Sequence, residues 1–129
     1  MKKEKIIRVL KVAPGEMPAV VHLPNNLDSL QKAVSIGMED QGLIEIVELD
    51  ASTCILCNEE GKVLNLEPNR RLGNDILCGV FYVTGQNKYG DLASLSEAGI
   101  EKYSKMFEEI PDISESEVVK SMVMRFFAY

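Results

Sequence analysis

The sequence predicts a single α+β domain, with an antiparallel or mixed β-sheet of about five to six strands and about three helices. Three observations predict it. Short β-branched runs recur between Ile6 and Thr84, separated by turns rich in Pro, Gly and Asn. Apolar residues at helical spacing occur in three places, each behind a residue able to cap a helix. The chain has 129 residues, 46% hydrophobic and 26% charged, enough for one core.

Ile6 to Val12 reads as a strand that ends at the Pro14-Gly15 turn. Ala19 to Leu23 pairs back as a hairpin and closes at Pro24-Asn25-Asn26. Either asparagine can cap the next helix, because its side-chain oxygen accepts an orphan amide hydrogen. Leu27, Leu30, Val34 and Met38 then fall on one face, and Gly37 or Gly42 ends the helix.

Leu43 to Leu49 alternates, with Ile44, Ile46 and Leu49 expected inward and Glu45 and Glu48 toward solvent. Thr53 to Cys57 is its partner, and Lys62 to Leu66 is expected to pair back after the Asn58–Gly61 turn, giving a meander over 43–66. Glu67 to Asp75 reads as a loop. Ile76 to Thr84 reads as one continuous strand, with a bulge or a close backbone approach at Gly79.

Ser94 or Ser96 caps a second helix, with Glu97 in the capping-box position for Ser94. Leu95, Ile100, Tyr103 and Phe107 share a face, and Pro111 ends the helix. Ser114 and Glu117 form another box. Val118, Val119, Met122, Val123 and Phe126 follow as a helical stripe.

Charge is uneven within a net of −6. Residues 12–60 carry nine carboxylates against Lys32. Residues 61–90 form a small positive island with Lys62, Arg70 and Arg71. An acidic chain is a poor general ligand for nucleic acid, because neutralising phosphates needs a basic field. No apolar run approaches the roughly 18 residues of a membrane span, and the N-terminus has no signal-peptide core. These features predict a cytoplasmic protein. Cys54-Ile55-Leu56-Cys57 spells C-x-x-C, but no second pair follows and His22 is the only histidine. On a strand, residues three apart face opposite sides, so these read as structural thiols with no metal and no cofactor. No P-loop, dinucleotide glycine motif or nucleophile–histidine pattern is present, and the sequence predicts no enzyme.

Several segments together resemble a known family. They are Leu56-Cys57-Asn58-Glu59-Glu60-Gly61-Lys62, then Pro68-Asn69-Arg70, then Ile76 to Gly85. The Leu30–Val34 helix, the Ile44–Val47 strand and the Leu95–Phe107 region add to the likeness. The pattern is similar to the domain of unknown function 3846 family over about residues 6–109, where Glu67-Pro68-Asn69-Arg70 stands for the family's Pro-Pro-Asn-Arg. Residues Met38 to Gln41 lengthen the loop after the first helix, and the tail from about 111 to 129 reads as a helical addition. The resemblance implies a small bacterial protein in a phage or mobile-element setting. It brings no agreed activity.

Two readings of the arginine loop stay open. Arg70 ties the loop down, donating to loop carbonyls or to Glu45, Glu48 or Glu67. Alternatively Arg70 and Arg71 bind a phosphate or nucleotide beside Asn58, Lys62, Asn69 and Tyr82. The second reading makes the protein a non-catalytic accessory domain for a small phosphorylated ligand. The alternative function is an acidic, protein-binding inhibitor or decoy acting on a host protein. The stripe Val118, Val119, Met122, Val123 and Phe126 packs either on its own domain or against a second copy as a homodimer.

Overall fold

The computed structural model describes residues 4–36, 38, 41–60 and 66–127, with side chains of the last helix described as far as Met122. The described elements are β1 (Ile6–Val12), β2 (Ala19–Pro24), α1 (Leu27–Ala33), β3 (Ile44–Asp50), β4 (Thr53–Asn58), β5 (Pro68–Leu72), β6 (Asp75–Cys78), β7 (Phe81–Gln86), β8 (Leu92–Ala93), α2 (Glu97–Met106) and α3 (Glu115–Phe127). The fold is α+β. Five strands form the main sheet in the order β2-β1-β7-β4-β3, and β8 adds to β7. Strands β5 and β6 form a separate two-stranded ribbon. Every described pairing is antiparallel.

The main sheet has a core on each face. Ile7, Val9, Leu56 and Tyr82 pack with Leu30 and Val34 beneath α1. Leu10, Val12, Ile55, Phe81 and Val83 pack with Tyr103 and Phe107 of the α2 region. Period-2 alternation delivers both sets, because successive side chains on one strand point to opposite faces. The β5–β6 ribbon lies on the α2 side, where Leu77 enters the same cluster and Leu72 packs against it. The ribbon's other face carries Ile76 and Cys78, which meet Val118 of α3. The order of layers is therefore α1, main sheet, α2 with the ribbon, then α3.

The β1–β2 hairpin forms as expected. Asn26 caps α1, its side chain accepting from Ser29 N. Leu30 and Val34 are buried, but Leu27 is turned outward and 67% exposed. Ser96 caps α2 by accepting from Gly99 N. The expected Ser94–Glu97 box is absent for a specific reason. The Ser94 hydroxyl accepts from Arg8 N at 2.9 Å and donates to Glu4 at 2.7 Å, while Glu97 pairs with Arg8. Ser114 caps α3 by accepting from Glu117 N at 3.1 Å.

Three expectations need correction. First, β4 does not sit in a 43–66 meander. Its second edge is taken by β7, with Ile55 opposite Val83. β7 is buried along nearly its whole length and takes the centre of the sheet. Most of the expected Lys62–Leu66 strand lies outside the described residues. Second, Ile76 to Thr84 is two strands in two sheets. Gly79 turns the corner between them at φ +80°, and a Cβ there would come within 2.8 Å of Leu66 Cδ1. Third, Ile46 points outward and is 52% exposed, while Val47 packs on the α2-side core. Both faces of this edge strand have a core beneath them, so alternation alone does not sort its residues.

Candidate functional site

The stretch Pro68 to Leu72 is strand β5 rather than a loop. Its register against β6 slips between Pro68, opposite Cys78, and Arg70, opposite Leu77. Asn69 is the extra residue of a β-bulge. A bulge re-aims side chains that a regular strand would send to opposite faces. Asn69 and Arg70 are consecutive, yet both are only 2% exposed. Arg71 resumes the alternation and points out.

Asn69 Nδ2 donates to the carbonyls of Val12 at 2.8 Å and Gly79 at 2.9 Å. Its Oδ1 accepts from Arg70 Nη1 at 2.7 Å. Arg70 Nη1 also reaches the Asn69 carbonyl at 3.1 Å, and Arg70 Nη2 donates to the Glu16 carbonyl at 2.7 Å. Arg70 Nε donates to the Phe107 carbonyl at 3.0 Å. Phe107 is the C-cap of α2. The last carbonyls of a helix lack intrahelical partners and carry partial negative charge, so a guanidinium is a fitting cap. These two side chains therefore join β1, the β1–β2 turn, the β6–β7 corner and the end of α2. All the acceptors are neutral oxygens, and burial lowers the Arg70 pKa from its usual value.

Arg71 makes a different contact. Its Nε and Nη2 clasp the two Glu117 oxygens at 2.6 and 2.9 Å, and Nη2 also donates to the Asp112 carbonyl at 3.1 Å. The bidentate bond to Glu117 raises the Arg71 pKa, and the nearby charges of Glu117, Asp112 and Glu109 add to the effect. The same contact lowers the Glu117 pKa. Glu117 thus serves the clasp and not a reciprocal capping box.

The six residues singled out for an anion fall in separate places. Asn69, Arg70 and Arg71 share β5. Asn58 is buried on the α1 side, where Nδ2 reaches the Val34 carbonyl at 3.4 Å and Met38 Sδ at 3.0 Å, and Oδ1 accepts from Glu60 N at 2.8 Å. Tyr82 is on the same side, donating to the Ala33 carbonyl at 3.0 Å, and burial raises its pKa to about 12. Lys62 lies outside the described residues. The main sheet stands between the Asn58–Tyr82 pair and the arginines.

Cys54, Cys57 and Cys78 are buried thiols. Cys54 shares a hydrogen bond with Thr84 at 3.1 Å on the α1 side, and Cys57 belongs to the α2-side core. The C-x-x-C pair is thus split across the sheet. Among the described residues, no group of three His, Cys, Asp or Glu could hold a metal ion. No described helix is long and apolar enough to cross a membrane. His22 is an exposed strand residue opposite Arg8.

Beside the Arg71 clasp runs the connection from α2 to α3. Glu108, Glu109, Asp112, Glu115 and Glu117 fall within residues 108–117, with no lysine or arginine among them. The first four are exposed. Val118 packs into its own chain, Val119 is 56% exposed and Met122 is half-buried. The side chains of Val123 and Phe126 lie outside the described residues. A groove of about 570 Å³ opens between the start of β5 and the first turns of α3.

The sequence signal for the Asn69–Arg70 hub was the Pro-Asn-Arg string itself, but its acceptors were hidden. They are main-chain oxygens, supplied by residues whose side chains carry no mark of the role. The bond from Tyr103 to Asp50, at 2.7 Å, also had no local signal.

Comparison with curated proteins finds no match, and comparison with solved structures finds none either. A family model, Domain of unknown function (DUF3846), matches residues 7–108. The matched region ends just after the Phe107 carbonyl that Arg70 holds, and α3 lies beyond it. The chain belongs to the DUF3846 family.

Proposed function

We propose that this protein is a non-catalytic binding domain that engages a basic surface on a partner protein through the acidic segment 108–117. One observation carries the reading: five carboxylates fall within ten residues, mostly exposed, and Arg71 is the basic side chain that clasps this segment. Such a surface steers a cationic partner at long range and disfavours acidic ones. The setting is cytoplasmic, and the partner is a host protein met by a phage- or mobile-element-type accessory factor.

The other reading, capture of a small phosphorylated ligand by Arg70 and Arg71, has less support. Arg70 would have to leave buried acceptors, and Arg71 would have to release Glu117.

Capture from a lysate of cells carrying the gene tests the proposal. The wild type is expected to retain a partner at low salt and lose it at high salt, since exposed charges are screened. The double variant Glu108→Lys, Glu109→Lys is expected to lose it at both. Retention unaffected by salt and by the charge reversal would contradict the reading.

A further inference from the structure

The groove between β5 and α3 has an apolar floor with acidic edges. Leu66, Pro68, Ile113, Val118, Val119 and Met122 supply the apolar lining. Glu67 stands on one wall and Glu115 on the other. Among the described residues, neither has an ion-pair partner and no lining side chain is cationic. The α3 wall is fastened by the Arg71–Glu117 clasp and by Val118 packing on Ile76 and Cys78. The volume, about 570 Å³, lies in the range of sites that take a whole ligand group.

We propose that this groove receives one apolar anchor, of leucine or methionine type, from a peptide segment of the partner that carries lysine or arginine on both sides of the anchor. The chemistry is complementary at each level. The anchor leaves water for the floor, and the flanking cations meet Glu67 and Glu115. Apolar anchors in a groove with charged edges are a recurring mode of peptide recognition. The proposal rests on the basic-partner reading above and adds a place and a specificity to it. A purely electrostatic surface would accept any basic sequence, whereas this groove selects one with an anchor.

Fluorescence anisotropy with two labelled peptides tests it on the full chain at low salt. One peptide carries two leucines between lysine pairs, and the other carries two glycines in their place. The leucine peptide is expected to bind about tenfold or more tightly, since burying one aliphatic side chain favours binding to about that extent. Val119→Lys, at an exposed position, is expected to remove the difference. Glu67→Gln with Glu115→Gln is expected to weaken both peptides. Equal binding of the two peptides, unchanged by Val119→Lys, overturns the groove proposal and leaves the acidic-surface reading standing. Binding of neither peptide overturns both. A dimer by light scattering that Val119→Lys dissociates assigns the groove to a second copy of this chain, and also overturns the proposal.

Discussion

Asn69 and Arg70 are neighbours in the chain and neighbours in the interior, with Asn69 Oδ1 accepting from Arg70 Nη1 at 2.7 Å. On a regular strand they would face opposite ways. The bulge turns both inward, and between them they bond five main-chain carbonyls, those of Val12, Glu16, Asn69, Gly79 and Phe107. The polar residues that most suggested a ligand site thus hold the molecule together.

Asn69→Ala is expected to be destabilising. The substitution strips the Val12 and Gly79 carbonyls of a buried donor and removes an acceptor from Arg70. The loss should be about 2–3 kcal/mol, because buried groups left without partners keep their full desolvation cost. Urea unfolding measures it. A loss within experimental error would mean that water replaces the amide without cost.

The Asp50–Tyr103 bond makes stability depend on pH at both extremes. The Tyr103 hydroxyl, helped by Ser52 N, holds Asp50 at about 2, below the usual 3.8. A depressed carboxylate adds stability above its unfolded value and loses it as pH falls through the folded one. Burial, and then Asp50, raise Tyr103 from 10 to about 12. A raised phenol adds stability below pH 10 that is lost as pH rises through about 12. The melting-temperature advantage of wild type over Tyr103→Phe should therefore be full between pH 4 and 10 and shrink at both ends. An advantage constant from pH 2 to 12 would contradict this bond.

Gly79→Ala should cost about 1–3 kcal/mol, from a positive φ that disfavours a side chain and from overlap with Leu66. Leu66→Ala in the same chain should recover only the overlap part, because the φ is unchanged. Thermal unfolding of the single and double variants separates the two contributions. Full recovery would show that the backbone conformation carries no cost.

Arg71→Ala should loosen α3 with little effect on the rest. The clasp is exposed, so its contribution is small and falls with salt. Cys78 lies beneath α3 and reports the change. Its reaction with a thiol reagent should quicken in the variant at low salt and converge with wild type at high salt, while Cys54 and Cys57, buried on the two faces of the main sheet, stay slow. Equal rates for wild type and variant at low salt would show that the clasp does not hold α3 in place.

Local chemistry made much of the fold legible. The first hairpin, the Asn26, Ser96 and Ser114 caps and the two-faced apolar strands are set by residues close in sequence. The order of the sheet was not legible, because the partner of β4 is chosen by burial of β7 from some thirty residues away, as in Cys54 opposite Thr84. Tertiary pairing of this kind overrides the short-range turn signal that suggested a meander. The arginines were legible as important, but not in role. Whether a guanidinium meets a ligand or a carbonyl depends on the bulge at Asn69, and a single unpaired residue leaves no periodic trace over five residues.

Urea unfolding of Arg70→Ala shows whether the Arg70 side chain holds the fold together. A loss of about 3 kcal/mol or more is expected, since several buried carbonyls lose a charged donor at once and the end of α2 loses its cap. A variant within about 0.5 kcal/mol of wild type, the range of an ordinary surface substitution, would contradict it.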